Sequence, residues 1–379
     1  MEKNVENKKI GSFTGLRFIM IMVIVVSHFE FLENLPSFGV FYQNYLHNAT
    51  MAVDFFFLLS GFGMMLGNLS RIKAEELRFP SAKDCLKYGI RHVKKIYPVY
   101  IVTIAFGLCA QITFAVYKSK IGLSFILKQL LKLFVNIPIL QSATGMSVFT
   151  HAYNGVTWFL SALFCIYLIS PILIYLLRKS SKSFYSDFLY IIINFILIIV
   201  LAFVFEKVEL YLKNQNLPVD NLVYGSPYRR VFYVLIGMNL AMIFQRITEK
   251  SFEISNIKAN FFEILICSIS ILYFFTRNIL PAGKYKYFVD VCLCAFLVFI
   301  FAFDKGCIPK ILKKPFFQHF GNIAMYIFLI HYPIRIYCGW FVEKLLGWTF
   351  ISSLFFIIFI LFSTFILSDI IYRREYKKA

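Results

Sequence analysis

Along its whole length the chain alternates apolar runs of about 18–22 residues with short charged segments. A helix needs roughly 20 apolar residues to cross a hydrocarbon core of ~30 Å. The runs predict ten spans, near residues 13–32, 51–68, 98–117, 157–177, 187–205, 229–246, 260–277, 287–304, 318–339 and 348–371. The reading is an all-α, polytopic transmembrane helical bundle of about ten helices. No internal repeat, soluble domain or low-complexity tract interrupts it, so residues 1–379 form one membrane-embedded domain.

The positions of Lys and Arg orient the bundle. With the N-terminus inside, the segments facing the cytoplasm carry 25 of the 39 basic residues, while the external segments and their flanking span ends carry 13. The loop at 33–50 has none. This positive-inside bias places both termini in the cytoplasm. Two connections are longer than a turn requires. The cytoplasmic segment 69–97 holds Arg71, Lys73, Arg78, Lys83, Lys87, Arg91, Lys94 and Lys95, and reads as an amphipathic helix. The external loop 118–156 opens with KSKIGLSFILKQLLKLF, whose lysines are separated by apolar residues as in a helix lying in the membrane interface. The polar, Gly-rich stretch that follows it is suited to an external substrate lid.

Composition agrees. The chain is 59% hydrophobic and 16% charged, against roughly 45–50% and about 25% in soluble domains. A net charge of +19 would point to nucleic acid in a soluble protein. Here topology-setting loops and anionic lipid account for it, and no nucleic-acid partner is expected. The eight cysteines show no metal-ligand or disulfide spacing, so neither a zinc site nor a disulfide framework is expected. Arg17 and His28 interrupt the first apolar run, which therefore does not read as a cleavable signal peptide.

An ionisable group in hydrocarbon is costly, so each one is a functional candidate. Arg17 and His28 are eleven residues apart on one helix. Eleven steps of ~100° return to within about 20° of the start, with an axial separation of roughly 16 Å. One helix face thus offers a cation towards the cytoplasm and an imidazole in the outer half. Asp54 enters the next span at a depth matching His28, where a carboxylate can fix an imidazole's tautomer and raise its basicity. Its alternative is a helix N-terminal contact. His331 precedes Pro333, which frees a backbone carbonyl one turn earlier; pairing with that backbone and a role at the site are both open. Ser60–Gly61 is suited to close helix packing. The run Arg91-His92-Val93-Lys94-Lys95 places cations at a helix start, where the dipole does not favour them. An anionic ligand such as a nucleotide diphosphate would meet that placement, as would anionic lipid.

Five of these stretches resemble, in order, the motifs of acyltransferase family 3, the bacterial integral-membrane O-acyltransferases: GLRFIMIMVIVVSHF, VDFFFLLSGF, RHVKKIYPVY, NGVTWFLSALFCIYLISPIL and FGNIAMYIFLIHYPI. The resemblance implies a ten-helix core that takes an acyl group, usually acetyl, from coenzyme A on the cytoplasmic side. It passes that group to a hydroxyl of a glycan, lipid-linked saccharide or small molecule. It implies His28 as the catalytic histidine with Arg17 as its partner, and Arg91, His92 and Lys95 as donor-binding positions. His92 and Lys95 stand where arginines are usual, and Ala162, Leu163 and Phe164 follow the Trp-x-Leu-Ser element where many members carry acidic residues.

The expected site is therefore catalytic His28, Arg17 and Asp54; donor-binding Arg91, Lys94 and Lys95; and substrate-side His331, Trp158 and Ser60. The donor is acetyl-CoA or another acyl-CoA, with no metal. The partners are membrane lipid and a glycan or lipid-linked saccharide acceptor, in a bacterial plasma membrane. The rival readings are a proton-coupled secondary transporter and a flippase for a polysaccharide precursor; paired interrupted helices, their usual sign, are not evident.

Overall fold

The computed structural model describes residues 10–36, 38–73, 76–250, 254–281, 283 and 285–376. In order its helices are α1 Gly11–Ser27, α2 Gly39–Phe41, α3 Thr50–Leu69, α4 Ala82–Val93, α5 Tyr97–Tyr117, α6 Leu123–Asn136, α7 Ser147–Thr150, α8 Trp158–Ser180, α9 Phe184–Asn214, α10 Pro227–Glu249, α11 Asn256–Thr276, α12 Tyr285–Ala302, α13 Cys307–Leu312, α14 Pro315–Asn322, α15 Ala324–Leu345 and α16 Phe350–Tyr376. No strand occurs among the described residues. This is what hydrocarbon demands, because a helix satisfies its own backbone polar groups.

Nine helical segments among the described residues are long and apolar enough to cross a membrane. The tenth span expected from the sequence is α15, which is helical but is not one of the nine. His331, Pro333 and Arg335 dilute its apolar run. Those same residues give α15 its chemistry.

The centre of the bundle is the α3–α10 contact. Gly61 lies against the Val234 carbonyl and Gly237 against the Leu58 carbonyl, so a Cβ at either position would collide with backbone. Small residues at both contacts let two helix backbones approach closely, as expected for Ser60–Gly61. α1 runs antiparallel to α3. Phe13 near the start of α1 packs edge-on against Phe62 near the end of α3, at 5.5 Å between ring centroids. At the other end, the Tyr42 hydroxyl donates to the Ser27 carbonyl at 2.7 Å.

α4 is the amphipathic helix expected in 69–97. A capping box starts it: the Asp84 amide donates to Ser81 Oγ at 3.2 Å and the Ser81 amide to Asp84 Oδ2 at 3.0 Å. α6 is the helix expected at 118–156. Its buried side chains are the polar Gln129 and Asn136, while Leu123, Leu130, Leu131 and Phe134 are exposed. Polar towards protein and apolar outward is the pattern of a helix bathed in lipid. The stretch after it is not an open lid. Gln141, Ser142, Thr150, Asn154 and Thr157 are buried, and Ser142 bonds to Ser161 Oγ and the Trp158 carbonyl at 2.9 and 2.7 Å. Its small polar side chains satisfy backbone groups at the ends of helices, and this consumes the flexibility its composition had promised. All eight cysteines are free thiols.

Candidate active site

α1 ends at His28. The chain then turns through a short 3₁₀ segment, Glu30–Asn34, so the imidazole stands at a helix terminus rather than on a continuous face. Opposite it lies α15. Pro333 has no N–H to offer the Leu329 carbonyl, and Asn154 Nδ2 donates to that carbonyl at 2.9 Å. The carbonyl freed by proline is thus satisfied from the loop between α7 and α8, and the His331 ring is not needed for it.

His331 Nδ1 lies 3.0 Å from the Ile327 carbonyl, and its Nε2 lies 3.1 Å from His28 Nδ1. A carbonyl can only accept, so Nδ1 of His331 carries the proton. In the neutral pair its Nε2 is then an acceptor, and His28 donates from Nδ1. That leaves the lone pair of His28 on Nε2. His331 is 1% exposed and His28 half-buried, so the accessible ring of the couple is the one with the free lone pair. Tyr332 stands edge-on to His28 at 5.5 Å. Beyond it, Arg335 pairs with Glu30, which ties the two segments bearing the histidines together a second time.

Asp54 is not the group that orients His28. It is fully buried and paired with Arg230, which is also fully buried. Arg230 Nε donates to the Tyr224 carbonyl at 3.0 Å, and the guanidinium is boxed by Phe57, Trp158, Tyr224 and Tyr233 at 5.0–5.7 Å from their ring centroids. A buried carboxylate takes the permanent cation in preference to a neutral imidazole. Trp158 belongs to this box and not to the histidine couple. Arg230 falls at the start of the predicted span 229–246, and a cation inside an apolar run was the available signal.

Arg17 is half-buried and makes no hydrogen bond or ion pair among the described residues. It lies within electrostatic reach of the Tyr167 hydroxyl, which is also in reach of Ser60. Ser60 itself donates to the Phe56 carbonyl at 2.7 Å. Tyr167 stacks on His92 at 4.6 Å, and His92 stacks on Tyr88 at 4.2 Å. His92 keeps an exposed edge, and partial desolvation beside these rings holds its imidazole below its usual pKa.

Tyr88 and His92 line a cavity of about 610 Å³ at the end of the bundle where α1 begins and α3 ends. Its cationic walls are Arg71, Arg78, Lys87 and Arg91, with Asp84 and Glu76 the acidic members. Of the three expected donor-binding residues, Arg91 is here. Lys94 and Lys95 are exposed on the turn after α4 and do not line the cavity. A helix ending at Val93 turns them away, and Arg71, Arg78 and Lys87 line the cavity beside Arg91.

Between Arg17 and the histidines lies a void of only about 20 Å³, walled by Ile21 and Ile24 of α1, Phe56, Phe159, and Phe328 of α15. Phe328 packs edge-on against Phe159 at 5.5 Å and lies 6.2 Å from the His331 ring. Aromatic side chains thus close the space between Arg17 and the histidines. No cluster of three or more metal-ligating side chains occurs among the described residues.

The fold is a multi-pass helical bundle with an imidazole couple where α1 ends and an electropositive cavity where α1 begins. The family is specific: the model described as "Acyltransferase domain" matches residues 10–373, and the chain belongs to that acyltransferase family. No curated protein and no solved structure is matched by the chain.

Proposed function

We propose that the protein is an O-acyltransferase that moves an acyl group, acetyl in the simplest case, from cytoplasmic acyl-CoA to a hydroxyl of a cell-surface or lipid-linked saccharide. In this reading it sits in a bacterial plasma membrane with both termini inside. The observation that carries the reading is the His28–His331 couple, set on the line that runs from the basic cavity past Arg17.

The phosphates of the donor dock among Arg71, Arg78, Lys87 and Arg91, where guanidinium forks suit phosphate oxygens. Arg17, with no anion of its own, draws the arm inward past the Tyr167 hydroxyl. The arm enters the bundle by parting Phe56, Phe159 and Phe328. At the histidines, His28 Nε2 takes the proton of the acceptor hydroxyl as its oxygen attacks the thioester carbonyl. The new C–O bond forms, the C–S bond breaks, and the thiolate of coenzyme A recovers the proton from the imidazolium. His331 holds the tautomer that makes Nε2 the base and shares the developing charge. A positioned general base contributes about 10²–10⁴ in rate.

The test is acyl transfer by purified protein from radiolabelled acetyl-CoA to crude surface glycan, with His28→Ala and Arg17→Ala beside it. Loss of transfer in both variants supports the reading. Intact transfer in both variants removes His28 and Arg17 from the site, and solute transport that fails with them while no acyl group moves replaces the reading with the transporter one.

A further inference from the structure

The bundle has a second large cavity, at the end opposite the basic one. It is a groove of about 780 Å³ between α5, α15, the start of α16 and the turn that follows His28. Its polar end is the Glu30–Arg335 pair. Glu30 is two residues beyond His28, and Arg335 is one helical turn beyond His331, so this end abuts the imidazole couple. Its long flank is aromatic and runs outward through Phe114, Tyr117 and Trp340, which are 51%, 79% and 45% exposed. Phe114 and Tyr117 lie on an apolar span and Trp340 on α15 beside it, so the groove opens sideways among exposed apolar side chains.

Two features select its occupant. A hydroxyl compound reaching His28 from this side lays one end on Glu30 and Arg335 and the rest along an aromatic flank open to lipid. That fits a molecule with a sugar at one end and hydrocarbon at the other. A soluble glycan would leave the flank empty. The charge of the lining is the second feature. Arg335 is neutralised by Glu30 and Glu343 adds a further carboxylate, so the polar end offers no excess cation; Lys118 over the Phe114 ring at 4.4 Å and Lys132 at 3.3 Å from Gln111 Oε1 lie along the flank. An uncharged sugar suits that neutral polar end, where a lone ionised group would lack a partner.

We infer that this groove is the acceptor site, and that it takes an uncharged glycolipid of the glycosyl diacylglycerol type, its tails along α5 and α15 and its sugar at the Glu30–Arg335 end. The inference rests on the acyltransferase reading for what happens to the sugar, but not for what binds. Tails that leave lipid for the groove gain packing and alignment, because no apolar surface leaves water. Tail dependence therefore shows in KM, where the glycolipid is confined to the same layer as the groove.

Photocrosslinking separates this from its rivals. The protein in lipid nanodiscs is irradiated with glucosyl diacylglycerol carrying a diazirine midway along one tail, and modified peptides are mapped by mass spectrometry. Labelling within 106–117 and 336–341, displaced by unlabelled glucosyl diacylglycerol, is expected. Gly339 lines the groove, and a Cβ there meets Phe356 at an ordinary 3.4 Å, so Gly339→Leu fills space without striking backbone. It should cut labelling at least fivefold, and Trp340→Ala should do so more weakly; acyl-CoA binding at the opposite cavity, by calorimetry, reports that each variant is folded. Equal labelling by a phosphatidylcholine probe with the same tails overturns the proposal, since the groove is then only a lipid-facing crevice. Labelling elsewhere, or stronger displacement by a polyprenyl-diphosphate sugar or a soluble glucoside, overturns it also. Specific labelling without any acyl transfer leaves the site standing and removes the acyltransferase reading.

Discussion

His331 Nε2 lies 3.1 Å from His28 Nδ1, across 303 positions of chain. The couple gives His331 a role that can be separated from packing. His331→Asn keeps a polar side chain but cannot hold the His28 tautomer, and it should lower kcat about 10²–10³-fold with donor KM within about twofold. His28→Ala should abolish transfer. Steady-state kinetics with acetyl-CoA checks both, and equal kcat in His331→Asn and the parent would remove the tautomer argument.

Asp54 and Arg230 are each fully buried, so losing one partner strands the other's charge. Asp54→Asn or Arg230→Met alone should cost about 3–5 kcal/mol of stability. The double variant Asp54→Leu, Arg230→Met should recover most of that loss, because neither charge remains. Denaturant midpoints in detergent measure the three. A double variant as unstable as the singles would show that the aromatic box, rather than the ion pair, needs the guanidinium.

At the basic cavity, Arg91→Ala should raise the donor KM about five- to tenfold, as expected for a lost charge-assisted contact worth roughly 1–1.5 kcal/mol. Arg71→Ala and Lys87→Ala should act in the same direction. Lys94→Ala and Lys95→Ala, on the exposed turn, should stay within about twofold. Raising salt should weaken donor binding in the parent more than in Arg91→Ala. A larger effect at Lys95 than at Arg91 would move the donor out of the cavity.

The lowered pKa of His92 gives this cavity a pH dependence. Partial desolvation beside Tyr88 and Tyr167 disfavours the cation, so the ring is neutral at pH 7. With the folded value below the unfolded one of about 6.5, the stability this group contributes is complete above that unfolded value. It is lost as pH falls through the folded value. The same protonation adds a cation beside the donor phosphates. Donor KM should therefore fall about two- to fivefold as pH drops through the folded value, and His92→Phe, which keeps the ring contacts, should flatten that trend. An identical trend in His92→Phe would assign it to another group.

Much of the fold was legible because hydrocarbon leaves few options. Apolar runs of span length must be helices, and nine of the ten expected segments are long and apolar enough to cross. α15 is the exception, since His331, Pro333 and Arg335 spend its apolarity on chemistry. The site was legible only as a set of suspects. His28, Arg17, His331 and Arg91 are where an ionisable group in or beside lipid should be. Their partners were not, because partnership is a matter of distance between remote segments. Asp54 at the depth of His28 looked like its companion, yet Arg230, 176 positions away, holds it. Asn154, in a stretch that read as a flexible lid, turned out to satisfy the carbonyl that Pro333 frees.

By itself the sequence determined that this chain is a helical membrane protein, which way its basic loops bias it, and which few charges had to be accounted for; composition and spacing act locally and are written along the chain. Only the tertiary structure decided which charge neutralises which, that the two imidazoles meet, and that a basic cavity and an aromatic groove open at opposite ends. Those outcomes depend on how helices far apart in sequence pack. In a low-dielectric interior, a shift of a few ångströms decides whether a buried charge has a partner.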